Sequence, residues 1–192
     1  MISGISVQNV PTILQKITNR GAELQGLQEE RCVRNVYSLK SLMKKTASLR
    51  YVKTALTPSF SLLLVIEKGF IRKSYLLKNP SDVVWKEFEA YFFQRGDVEV
   101  DLDTLSLEGI NSDCLKVYRF LKENISFGEV VTYSELGKIS GFSPRFVGFC
   151  MRINPFPVII PCHRVIAKTG LGGYSAGVEL KKELLKHEGI LS

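Results

Sequence analysis

The sequence predicts an α+β protein in which a small N-terminal antiparallel sheet precedes a mainly helical region. Three observations carry that expectation. Arg50 to Leu77 is rich in β-branched and aromatic residues and is interrupted by a turn-forming Lys68-Gly69. From Asn111 onward, apolar residues recur at helical spacing. Between the two, Asp97 to Glu108 is an acidic stretch that reads as a linker and puts a boundary near residue 104. The chain then divides into an N-terminal extension of unclear role (1–48), an α/β domain (49–104) and a C-terminal domain (105–192).

Within the extension, Val10 to Leu27 has mixed helical spacing interrupted by Gly21 and is expected to be a helix. In the second region, Ser61–Glu67 and Phe70–Leu76 flank Lys68-Gly69 and form a hairpin. Ser81-Asp82 offers a helix cap, and Trp85, Phe88 and Phe92 follow on one helical face, with Gly96 ending the helix. The only Trp is therefore expected in the core. In the third region, Cys114, Val117, Tyr118 and Leu121 share a face of a helix that stops before Phe127-Gly128. A second helix begins at Thr132 or Tyr133 with Leu136 and Ile139 inward. Gly141-Phe142 makes a turn, Ser143 is a cap and Pro144 takes the first position of a third helix running to about Arg152. Two short helices joined by a Gly-containing turn are a helix-turn-helix candidate, a weak signal by itself.

Bulk properties narrow the function classes. The 192 residues are 45% hydrophobic and 23% charged, enough for one domain or two small ones. The most apolar stretch, Ser61 to Ile66, is closed by Glu67, far short of the ~20 residues of a membrane span. Met1-Ile2-Ser3-Gly4 lacks the basic-then-apolar pattern of a secretory signal. An intracellular location is expected, cytoplasmic, or nuclear in a eukaryote. The net charge of +7 favours a polyanionic partner such as nucleic acid, although the basic residues are spread along the chain. Cys32, Cys114, Cys150 and Cys162 form no Cys-x-x-Cys pair and do not look like a disulfide framework, so free thiols are expected in a reducing compartment. With His163 and His187 the only histidines, neither a metal site nor a cofactor is expected.

The informative segment is Asn154-Pro155-Phe156-Pro157-Val158-Ile159-Ile160-Pro161-Cys162-His163-Arg164-Val165. Three prolines forbid a regular helix before Cys162 and stiffen the approach. A thiol near imidazole or cationic groups loses its proton more easily, and the thiolate is the nucleophile. Adjacent residues of an extended strand point to opposite faces, so Cys162 and His163 can cooperate only if the chain turns there or a water bridges them. Alone, a Cys-His dipeptide reads as a buried structural cysteine beside a satisfied histidine.

The surrounding pattern changes that reading. The Pro-Cys-His-Arg-Val run resembles the signature of the O6-alkylguanine-DNA alkyltransferases, with similarity over residues 85–192 and a weaker likeness back to about residue 52. The resemblance implies a ribonuclease H-like N-terminal domain and a winged-helix C-terminal one. It also implies irreversible, stoichiometric transfer of an alkyl group from O6 of guanine, or O4 of thymine, in DNA to Cys162 after the base is flipped out. By position, it makes His163 the base that takes the thiol proton through a water. Glu188 orients that imidazole, Tyr133 donates a proton to the leaving guanine, and Asn154 is the hinge after the recognition helix. Met151, Val165, Tyr174 and Ser175 hold the base. Arg145 fills the gap left by the flipped nucleotide, with Thr132, Gly148 and Arg152 also facing DNA. The implied partner is double-stranded DNA carrying O6-alkylguanine, bound through its minor groove by a monomer, with no membrane involved.

One departure concerns docking. Family members usually carry small residues after that arginine, whereas here Phe146 and Phe149 lie in the helix. Phe149 is expected to pack inward, and Phe146 is open between groove and core. Cys150 is expected to be a small core residue. The competing readings are a lesion-sensing alkyltransferase-like protein, which lacks the acceptor cysteine, a cysteine hydrolase, and a plain helix-turn-helix module. The presence of Cys162 argues against the first. The second does not need Arg145, and the third leaves Pro161 to Val165 without purpose.

Overall fold

In a computed structural model, the described residues are 49–192 together with Ser38, Leu39 and Met43. They belong to one compact unit, Val36–Ser192. The helix expected over Val10 to Leu27, and Cys32, lie outside the described residues. The architecture is α+β, with an antiparallel sheet followed by a helical region.

The sheet has the order β1-β2-β3, with β1 Arg50–Ala55, β2 Ser61–Glu67 and β3 Phe70–Leu77. The β2–β3 turn falls at Lys68 and Gly69, whose φ values of 51° and 80° put both in the left-handed region that suits a two-residue hairpin. Leu62, Leu64 and Ile66 point alternately into the core and are fully buried.

Helix α1, Lys86–Phe92, starts later than the sequence suggested. The Ser81 hydroxyl accepts from Val83 N at 3.3 Å, closing a local turn instead of capping a helix. Its buried face is Glu87, Phe88 and Tyr91, while Phe92 is only half-buried. Trp85 packs against the core and donates from Nε1 to Lys53 O at 3.2 Å. The helix stops before Gly96, where Gln94 takes a φ of 56°. Buried Glu87 accepts from the Ser38 hydroxyl (2.7 Å) and Leu39 N (3.0 Å).

The acidic stretch is no loose linker. Its charged residues alternate with Val98 and Val100, which are buried, and Leu105 is buried beside Ile71. Helix α2, Ser112–Asn124, buries the four residues its spacing predicts and is capped by the Asn111 side chain. Strand β4, Val131–Thr132, pairs in parallel with β5, Val165–Ile166.

Helices α3, Tyr133–Ser140, and α4, Pro144–Ile153, form the expected helix-turn-helix. Ser143 caps α4 and Pro144 opens it, while Gly141 ends α3 in the left-handed region. Leu136 is buried, but Ile139 is 58% exposed, contrary to its expected inward role. Gly137 takes the inward place because the turn runs directly over it. A Cβ there would lie 2.6 Å from the Phe142 carbonyl oxygen.

A further expectation fails on α4. Phe149 is 41% exposed, and it is Phe146 that packs against the core. The helix leaves room inside only for Val147, Cys150 and Met151. Phe142, Phe146 and Phe149 form a row of rings with centroids 5.0 and 6.1 Å apart, and the Arg152 guanidinium lies 5.8 Å from the last. Cys114 and Cys150 are not free thiols but a disulfide joining α2 to α4. The spacing gives no hint of this, since the bond depends on two helices 36 residues apart meeting with Cα atoms 5.3 Å apart. Helix α5, Val178–His187, completes the region. Among the described residues, no helix is long and apolar enough to cross a membrane.

Candidate active site

The sheet helps to place the segment that carries Cys162. Ser74 of β3 donates from its backbone to Pro155 O (3.0 Å) and from its hydroxyl to Pro157 O (3.2 Å). The prolines keep this segment out of a regular helix, so its carbonyls are met from outside. Val158, Ile159 and Ile160 then run through the core, and Cys162–Arg164 forms a 3-10 turn. That turn answers the question posed by the dipeptide: the chain does not remain extended at Cys162 and His163.

Cys162 is 3% exposed and is a free thiol. Asn154, at the end of α4, donates from Nδ2 to the Cys162 sulfur (3.1 Å) and to Ile160 O (3.1 Å). Its Oδ1 accepts from Phe156 N at 2.9 Å. One amide thus fixes the bend and the sulfur together. Burial raises the thiol's pKa above its ordinary value, against the opposing pull of Asn154, Tyr174 and Lys181. The activated thiolate expected from the neighbouring cations is therefore not the resting state.

The next residue is an imidazole. His163 is fully buried, and its Nε2 lies 2.6 Å from Glu188 Oε1, while Nδ1 has no hydrogen-bond partner among the described residues. A carboxylate on Nε2 selects the tautomer that leaves Nδ1 as the acceptor. Burial lowers the pKa of His163, with Glu188 pulling the other way, so the ring rests neutral. Burial alone would raise the Glu188 carboxyl, but the His163 ring and Arg164 hold it at about 2. Arg164 grips Glu188 through Nε (2.8 Å) and Nη2 (3.1 Å) and reaches Asp97 (2.6 Å) and Ile125 O (2.8 Å) through Nη1. The planar guanidinium suits this forked pairing. Tyr91 of α1 donates to Glu188 Oε1 at 2.9 Å.

In front of the sulfur is a cavity of about 300 Å³, at the small end of ligand pockets. Tyr133, Gly148, Met151, Arg152, Gly173, Tyr174 and Ser175 line it with Cys162. Tyr133 opens α3, and its pKa is raised by burial and by the charge that Cys162 would carry. The buried Tyr174 hydroxyl makes no hydrogen bond of good geometry among the described residues, yet lies close enough to the sulfur to lower the thiol's pKa. Val165 is fully buried opposite Val131 and takes no part in the lining. Thr132 spends its side chain in a capping box with Glu135. Arg145 is exposed at the second position of α4, and Arg152 is exposed on its last turn.

Three groups were not foreseen in these roles. Arg164 and Asp97 were visible as charges, but their pairing depends on the fold. Lys181 carried no signal: its ammonium is buried against Val165 O and Leu171 O, both at 2.6 Å, and burial lowers its pKa to about 8.

Residues 114–190 match the family described as 6-O-methylguanine DNA methyltransferase, DNA binding domain. A methylated-DNA–protein-cysteine methyltransferase of Metallosphaera sedula is 42% identical over 118 residues, covering 60% of this chain and 73% of the relative. The chain belongs to this family. The relative of that name from Thermococcus kodakarensis is 43% identical over 111 residues, 58% of this chain. The matched segment spans 63% of that relative and 53% of the one from Thermococcus gammatolerans. Among solved structures, the O6-methylguanine-DNA methyltransferase of the archaeon Pyrococcus kodakaraensis is similar with a TM-score of 0.61 and 30% identity, covering 74% of this chain and 99% of that one. A Mycobacterium tuberculosis family member solved in complex with DNA is similar at a TM-score of 0.58 and 27% identity, covering 73% and 92%.

Proposed function

We propose that this protein repairs DNA by moving an alkyl group from O6 of guanine onto the Cys162 sulfur, once per molecule. The observation that carries the reading is the placement of one buried free thiol between a base-sized cavity and an imidazole–carboxylate pair. The thiol proton passes to His163 Nδ1 through a water, and Glu188 stabilises the imidazolium that forms. The thiolate attacks the alkyl carbon in line. The carbon–sulfur bond forms as the carbon–O6 bond breaks, and the electron pair leaves with guanine. Tyr133 donates a proton to the departing base. A thiolate beside that phenol holds its pKa up, and alkylation removes the negative charge, so the phenol becomes easier to deprotonate as it is needed. The thioether offers water no leaving group, so no second turnover follows.

The target carbon sits inside a stacked duplex, so the base has to be flipped into the cavity. The exposed Arg145 at the start of α4 fills the gap it leaves. Helix α4 lies in the minor groove with Gly148 close to the base and Arg152 on phosphate, and residues 49–104 buttress the acceptor domain, 105–192. The exposed Phe149 means that this helix meets the groove with an aromatic ring where a small residue would sit flat.

The test is an intact mass after incubation with duplex DNA containing O6-methylguanine. One methyl addition mapping to Cys162, absent in Cys162→Ala, is expected. Catalytic turnover, or no addition to a verified folded sample, overturns the reading.

A further inference from the structure

Tyr91 is assigned no part by the sequence motifs. It stands on α1, 97 residues before Glu188 in the chain, yet its hydroxyl donates to the Oε1 atom that also meets His163 Nε2. We infer that Tyr91 is a positioning residue that sets the proton affinity of His163 through Glu188. The inference rests on the alkyl-transfer reading and deepens it.

The geometry gives the reason. Glu188 Oε1 receives three donors: Tyr91 Oη at 2.9 Å, His163 Nε2 at 2.6 Å and Arg164 Nη2 at 3.1 Å. Donors sharing one oxygen compete for its charge. Tyr91 is fully buried and its own pKa is pushed well up by burial and by Glu188, so its proton stays on the phenol. It acts purely as a donor, drawing negative charge from the oxygen that faces the imidazole. Too strong a carboxylate would leave His163 protonated at rest and unable to accept the thiol proton.

The ring is held independently of the hydroxyl. Its edge packs on Phe127 with centroids 5.5 Å apart, and the His187 ring lies 5.2 Å away, with His187 Nε2 at 2.8 Å from Tyr91 O. The other groups acting on His163 are Arg164 and Lys181, both cationic, with Asp97 acting through Arg164; Cys162 and Tyr174 lie on the pocket side. Removing the hydroxyl leaves all of them in place. The carboxylate charge then falls more fully on His163, and its pKa rises.

The experiment compares wild type, Tyr91→Phe, and a protein with 3-fluorotyrosine at position 91, a more acidic phenol and a stronger donor. The His163 ring is titrated by NMR, assigned by its loss in His163→Gln. The pH profile of Cys162 alkylation by free O6-benzylguanine is followed in parallel. Tyr91→Phe is expected to move the ring titration and the acid limb upward together, by about half to one pH unit. The fluorinated protein is expected to move both downward. Phe127→Leu, which strips the ring contact and spares the hydroxyl, is expected to lower the melting temperature and leave the ring titration in place. Unmoved titrations in both Tyr91 proteins, or the same shift from Phe127→Leu, overturn the role of Tyr91. Failure of the folded wild type to react with O6-benzylguanine, with the ring shifts present, instead overturns the alkyl-transfer reading and the kinetic half of this inference with it.

Discussion

The outer surface of α4 and the cluster behind Cys162 are built on opposite principles. On α4, Arg145, Phe149 and Arg152 reach outward from a capped helix and are exposed. Behind the sulfur, His163, Arg164 and Glu188 are buried, and each is held by another member of the group. The first arrangement leaves side chains available to an outside partner. The second commits its donors inside the protein and leaves His163 Nδ1 without a partner among the described residues. Substitutions should therefore separate cleanly: damage to the cluster reaches any alkyl donor, and damage to the surface is felt only with duplex DNA.

The largest effect is expected at Glu188→Gln. Losing the charge that supports the imidazolium should slow alkylation by about 100-fold or more with both free O6-benzylguanine and modified duplex. The same variant has a signature in acid. A carboxyl held at about 2 in the folded chain contributes stability that is present above its unfolded value, near 4.3, and lost as pH falls toward 2. Melting temperatures between pH 5 and pH 2 should fall steeply for wild type and more gently for Glu188→Gln. An unchanged slope would mean that the carboxylate is not held this way.

Arg145→Ala comes next. Its loss should reduce the rate on duplex by roughly 10- to 100-fold, the scale of one charged contact, and leave the free base unaffected. Equal losses on both substrates would place Arg145 with the cluster and dissolve the division. Phe149→Ala should be the mildest, costing about threefold on duplex and less than about 0.5 kcal/mol of stability, as suits an exposed ring. A stability loss several times larger would return Phe149 to the core.

The sequence was most readable where structure is local. Lys68-Gly69, Ser143-Pro144 and the Cys114-to-Leu121 face follow from turn chemistry, capping and periodicity, and all three appear in the fold. Asn154, Tyr133 and Cys162 were singled out through a motif, and they meet around one cavity or one sulfur. What escaped depends on partners far apart in sequence. The Cys114–Cys150 bond, the Arg164–Asp97 pair and the Tyr91–Glu188 contact join residues that no short-range pattern relates. Ile139 and Phe149 were misplaced for a related reason. Helical periodicity defines a face, but only the neighbouring chain decides how wide a face is covered. The acidic stretch misled because its charge hid the two valines that anchor it.

Gly137 carries a consequence beyond the packing of α3. The turn carbonyl of Phe142 lies where its side chain would be, so even alanine would lift the start of α4 away from α3. That start bears Arg145, whereas Tyr133, at the other end of α3, faces the sulfur. The gauge that spaces the Arg145 tip from Cys162 is thus a carbon atom that is not there, and drift at this one position would put both out of calibration without touching either.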